Sequence, residues 1–152
     1  MIDVLDSTLR EGEQTPGVYF DKHIKLAVAK LLDKIGIKII ETGHPAVTAE
    51  IYEAVYTIAH SNLKSIIGAH SRSHQKDVDT ALECHVDFLG IFYCVSDERL
   101  DSVFKKDLST AIDQITRIVD YVKRKKPDML VRYTPCLLYT SDAADELDGV
   151  DL

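Results

Sequence analysis

Apolar and polar positions along the chain follow two alternating periods. Val4 to Leu9 puts Asp6 and Thr8 on one face and Leu5 and Ser7 on the other, a strand pattern. From Asp21 the period lengthens: Ile24, Val28, Leu31 and Ile35 recur at helical spacing, with Asp21 as the cap and Gly36 as the stop. Ile37 to Gly43 is a β-rich run. A helix over Thr48–His60 follows, with Ile51, Val55 and Ile58 on one face and Tyr52 and Tyr56 on its flank. Leu63–His70 predicts a third strand, and Ser73–His85 a third helix with Ser73 as its cap. Val86–Ser96 is almost continuously apolar, as a strand covered on both faces should be. Asp107–Lys126 predicts a fourth helix with Ile112, Ile115, Val119 and Val122 inward, and Met129–Pro135 a fifth strand.

Strand and helix alternate four times before that last strand. This is the signature of an α/β fold with a parallel sheet and crossover helices. An open doubly wound sheet and part of a (β/α)8 barrel both fit the alternation. A nucleotide-binding open sheet usually carries GxGxxG after its first strand, and the run here, LREGEQTPG, does not match it. A barrel collects its chemistry at the C-terminal ends of its strands. Those ends hold Arg10, Glu11 and Gln14; Glu41, Thr42, Gly43 and His44; His70, Ser71 and Arg72; Tyr93 and Ser96; Arg132 and Thr134. The barrel is the favoured reading: a partial (β/α)8 barrel of about five parallel strands and four helices. Its sheet would be curved, in order 1-2-3-4-5, and open at strands one and five, which should leave the chain marginally stable or poorly soluble.

The chain has 152 residues, 45% hydrophobic, enough for one domain with a core. Its formal net charge of −7 argues against a broad grip on nucleic acid or an anionic membrane. No apolar run approaches the roughly 20 residues that span a bilayer, and no secretory signal is present at the N-terminus. Cys84, Cys94 and Cys136 form no CxxC, which points to a reducing cytoplasm rather than a disulfide framework or a cysteine zinc site.

Three groups of residues carry candidate chemistry. Arg10 and Glu11 make a surface turn with an ion pair or, if the strand has ended, a carboxylate for a divalent metal beside a guanidinium for an oxyanion. His70, at a strand end, is a structural histidine or a metal-shell or substrate hydrogen-bonder. Arg132 lies in an apolar strand and needs an anion, either a ligand carboxylate or an inward acid such as Glu41. His44, before Pro45, reads as a turn residue. His60, His74 and His85 read as surface, and Lys123–Lys126 as a solvated helix end suited to the helix dipole.

Read together, LDSTLREGEQTPG, IETGHPAV, GAHSRS, ALECHVDFLGIFYCVSD and VRYTP resemble the N-terminal half of the aldol-type metallolyase TIM barrels. That family includes homocitrate, 2-isopropylmalate and citramalate synthases. The resemblance covers about Ile2 to Pro135 and lies nearest the homocitrate synthase side. It implies an acyltransferase of amino-acid biosynthesis, lysine or leucine, that condenses acetyl-CoA with a 2-oxo acid at a divalent metal (Mg, Mn or Zn) and then hydrolyses the thioester. Glu11 then maps to a metal ligand. Arg10 maps to the group that stabilises the developing oxyanion and touches substrate. Gln14, His70, Arg132 and Thr134 map to substrate contacts. The family substrate here is 2-oxoglutarate, with 2-oxoisovalerate or pyruvate as the alternatives, and the full-length enzyme is expected to be a cytoplasmic homodimer. Two departures qualify this. The family's HxH metal pair is absent, and five strands are present where a barrel needs eight. The chain is therefore expected to be a piece of a longer enzyme, inactive by itself, and a non-catalytic half-barrel is the alternative. Residues 1–135 would be the N-terminal part of the catalytic domain. Residues 136–152, CLLYTSDAADELDGVDL, break the family pattern and are expected to be a non-native, functionless tail.

Overall fold

The computed structural model describes residues 3–96 and 99–136. The expected tail lies outside them, apart from Cys136. Five parallel strands form one sheet in the order β1-β2-β3-β4-β5, curled into a half-barrel. They are β1 (Leu5–Asp6), β2 (Ile39–Glu41), β3 (Ile66–Arg72), β4 (Phe88–Cys94) and β5 (Leu130–Cys136). Among the described residues, four α-helices connect them: α1 (Lys22–Lys34), α2 (Ala49–Ala59), α3 (Gln75–Glu83) and α4 (Leu108–Lys125). A 3-10 turn at Gly12–Gln14 follows β1, and a π-helical turn at Leu100–Phe104 precedes α4. The sequence order and sheet order agree, and α1 packs on α2 and α2 on α3.

Caps explain where three helices begin. The Asp21 carboxylate accepts from His23 N and Ile24 N at 2.8 Å each. The Thr48 hydroxyl accepts from Ile51 N, and the Asp107 carboxylate from Thr110 N at 2.7 Å. The third helix differs from expectation. Ser73 is buried with its hydroxyl unpaired, and His74 stands at the N-cap without a side-chain bond.

The core lies between sheet and helices: Ile40, Ile67, Ala69, Leu89 and Ile91 from the strands meet Ala29, Val55, Ile58, Val78, Ala81 and Val122 from the helices. Two expected helix faces are corrected. In α1, Val28 of the expected stripe packs against the core, but Ile24, Leu31 and Ile35 do not; Leu31 is 61% and Ile35 73% exposed. The buried positions of α1 are Lys25 and Ala29, flanked by partly buried Leu26 and Leu32. In α4, Ile112 is exposed while Ala111 and Ile118 join Val122 inside. A small residue such as Ala29 lets a helix approach the sheet closely, so the facing stripe is chosen by fit rather than by the largest apolar count. The strand bounds also move. β1 is shorter than Val4–Leu9 and leaves Arg10 and Glu11 in a turn, both bonded back to Ser7 O. β5 runs on to Cys136, which pairs in register with Cys94.

Candidate functional site

The polar centre of the molecule is Glu41, the last residue of β2, whose side chain has no exposure at all. From the turn after β1, from β3 and from β5, cationic or protonable groups converge on it. Arg10 donates Nε–H to Oε2 at 2.5 Å. His70 Nδ1 lies 3.1 Å from Oε1, and Arg132 donates from Nη2 to the same oxygen at 2.8 Å. Burial, the largest single influence on this carboxyl, works against its charge. The hydrogen bonds from His70 and Arg10, and their charges, outweigh it and hold the carboxyl down at about 2. An ionised Glu41 accepts only, so His70 Nδ1 carries the proton in this pair.

Register explains why the side chains meet. His70 pairs with Gly90, and Gly90 with Arg132, so three neighbouring strands place these residues in one row. Gly90 leaves the space the cluster occupies. A Cβ there would stand 3.1 Å from Arg132 Nη2, 3.1 Å from Glu41 Oε1 and 3.2 Å from His70 Nδ1. Neither Gly90 nor the central role of Glu41 is visible in local pattern, though Glu41 was one of the two partners open to Arg132.

Arg10 binds Glu11 through its Nη1 as well. Arg10, Glu11, Gln14, His70, Arg132 and Thr134 all line one cavity of about 1060 Å³ at the C-terminal ends of the strands. Every residue that sequence reading assigned to the site therefore reaches the same space. His44, read as a turn residue, lines it too. Its ring stands edge-on to His70 and Phe92, with Nε2 3.5 Å from Asp77. Burial, opposed by Asp77, lowers the His44 pKa. The only sequence signal for His44 was its place at the end of a strand. A second cavity of about 1090 Å³ opens beyond Val47, Thr48 and Phe92, lined by Arg72, Asp77 and Gln114 among others. None of Arg10, Glu11, His70 or Arg132 lines it.

Metal binding fits these residues poorly on their own. Glu11 is half-exposed and engaged by Arg10, and among the described residues no group of three His, Cys, Asp or Glu side chains could hold an ion. The three cysteines are free. Among the described residues no helix is long and apolar enough to cross a membrane.

The HMGL-like family model matches residues 1–148. A homocitrate synthase of Pyrococcus horikoshii is 41% identical over 132 residues, covering 87% of this chain and 36% of that protein. A homocitrate synthase of Saccharolobus islandicus is 40% identical over 137 residues, covering 88% and 29%. The chain thus spans about a third of the length of these relatives. Among solved structures, an HMG-CoA lyase of Bacillus subtilis superposes with a TM-score of 0.68 at 17% identity, over 87% of this chain and 45% of that one. An HMG-CoA lyase of Acinetobacter baumannii, in complex with coenzyme A and 3-methylmalate, gives 0.69 at 16% identity, over 91% and 46%. At these identities the two structures speak for the fold.

Proposed function

The chain belongs to the HMGL-like family, and on that premise we propose that it is the N-terminal part of an acyltransferase that condenses acetyl-CoA with a 2-oxo acid, 2-oxoglutarate first. The observation that carries this is the convergence of Arg10, His70 and Arg132 on one buried carboxylate at the mouth of a shared cavity. Condensation takes a proton from the acetyl methyl group and joins that carbon to the ketone carbon. The ketone oxygen becomes an alkoxide that must be stabilised and then protonated, and water finally cleaves the thioester. A divalent metal, polarising the ketone, would need donors beyond this chain, because Glu11 is the one acid here that we assign to it.

The chain's own groups have distinct tasks. Arg10 has five N–H donors, and its Nε and Nη1 are committed to Glu41 and Glu11. Those contacts hold the guanidinium plane still, so that its other donors meet an oxyanion already oriented. Arg132, tied by one nitrogen to Glu41, keeps the rest of its fork for a substrate carboxylate. His70 offers Nε2, and Gln14 and Thr134 supply neutral hydrogen bonds from the cavity wall. Names of the relatives favour 2-oxoglutarate over 2-oxoisovalerate or pyruvate.

The test joins residues 1–135 to the remaining length of the Pyrococcus relative and measures kcat/KM with acetyl-CoA and each of the three 2-oxo acids. A preference for 2-oxoglutarate is expected. In the same chimera Arg10→Lys should lower kcat on the order of 10²–10³-fold, the range for one lost oxyanion donor, with metal content retained. Glu11→Gln should lower metal content and activity together. Normal turnover in both variants would remove these residues from the reaction, and preference for 2-oxoisovalerate would change the substrate.

A further inference from the structure

Among the described residues one lysine is buried in the core, and none of the roles above explains it. Lys25 sits on the inward face of α1, one turn before Ala29, and is 1% exposed. Its ammonium lies 2.6 Å from Glu13 Oε2 and donates to Leu9 O at 3.0 Å and to Thr42 O at 3.4 Å. Three N–H donors meet three acceptors, so the buried group is fully satisfied. The choice of acceptors is informative. Leu9 immediately precedes Arg10, Thr42 immediately follows Glu41, and Glu13 lies inside the turn that carries Gln14. One cation therefore ties together the backbone on both sides of the Arg10–Glu41 pair.

The surroundings are built around it. Glu13 Oε1 also accepts from Phe20 N at 3.4 Å, which fastens the chain leaving the turn. Gly43 passes at φ +154°, and a Cβ there would stand 3.6 Å from Nζ while meeting Ile51 and Val55 at 3.0 and 3.3 Å. A buried ion pair is weak as a source of stability, because desolvation consumes much of its Coulombic gain. What it does supply is geometry. β1 is two residues long, so the sheet ladder ends at Asp6 and cannot orient Arg10 four residues later.

We propose that Lys25 is a positioning residue that docks the β1 turn onto the end of β2 and so aims Arg10 at Glu41 and into the cavity. It touches no reacting group itself, and its importance for turnover rests on the function proposed above; its effect on Arg10 does not.

The experiment uses the 152-residue chain without substrate or metal. In uniformly ¹⁵N-labelled protein the Arg10 Nε–H resonance is assigned by its loss in Arg10→Lys, and its exchange with solvent is measured. Lys25→Met keeps the length of the stem and removes the donors. It should speed Arg10 Nε–H exchange at least about tenfold, the protection one charged hydrogen bond confers, with the amides of Gly68 and Leu89 at their native shifts. Glu13→Gln, which retains Lys25, should speed it by a smaller factor. A Lys25→Met chain that melts earlier but keeps the Arg10 exchange rate would overturn the proposal and leave Lys25 a merely structural residue. If Lys25→Met does not fold, Glu13→Gln decides, and an unchanged rate there overturns it. An inactive chimera beside a perturbed Arg10 signal would count against the proposed reaction alone.

Discussion

Two buried carboxylates sit at the same end of this half-barrel, and they are held in opposite ways. Glu41 gathers Arg10, His70 and Arg132 from 31, 29 and 91 residues away. Asp77, in α3, is held by Arg72 only five residues before it, through bonds of 2.5 and 3.2 Å, with His44 3.5 Å off. In both, burial is the largest influence and disfavours the charge, and nearby cations lower the pKa nonetheless. The cations differ in kind. The Arg72 side chain is 62% exposed, so water screens its pairing, whereas Arg10 is largely enclosed. A local pair of the Arg72 type fastens a helix to the strand before it. A long-range pair of the Arg10 type depends on the whole sheet being assembled, and it reports directly on the shape of the site.

The largest expected effect tests the Glu41 cluster. Glu41→Gln removes the anion and leaves two guanidinium groups facing one another, which should cost about 3–5 kcal/mol by urea denaturation near neutral pH. The same cluster predicts the acid limb of stability. A carboxyl lowered from 4.5 to about 2 favours the folded state wherever the unfolded acid is ionised. That contribution, about 3 kcal/mol at most, is fully present above pH 4.5 and is lost as pH falls toward 2. Glu41→Gln should flatten this limb, and an unchanged acid limb in the variant would locate acid sensitivity elsewhere.

Gly90→Ala comes next. It adds one methyl group at 3.1–3.2 Å from three polar atoms of the cluster. The expected loss is about 1–3 kcal/mol, together with a Glu41 carboxyl that titrates higher by ¹³C NMR. A silent substitution would show that the cluster is looser than its distances imply.

The smallest effect sharpens the contrast. Arg72→Gln should change stability by no more than about 1 kcal/mol, because the pair it breaks is mostly exposed on the arginine side. A loss as large as that of Glu41→Gln would mean that the two carboxylates do not differ as described.

The elements of the fold were legible because each carries a local signal: a β-rich run, a helical period, a capping Asp21, Thr48 or Asp107. The site was legible in part, since strand ends rich in Arg, Glu and His stand out against apolar strands. What local pattern misjudged was α1. Ile24, Leu31 and Ile35 satisfy helical spacing and yet lie outside the core, while Lys25, next to Ile24, is buried. Periodicity counts apolar residues on a face. It does not register that a lysine can be buried when three acceptors wait for it.

By itself, the sequence determined the alternation of strand and helix, the parallel order that alternation permits, and the set of polar residues placed at the strand ends. These depend on spacing, capping and composition, which act over a few residues. Only the tertiary structure decided that Glu41 would take Arg10, His70 and Arg132, that Gly90 would leave them room, and that Lys25 would pin the turn above them. Those contacts join segments up to 91 residues apart, and their geometry comes from sheet register and curl, quantities that no single segment encodes.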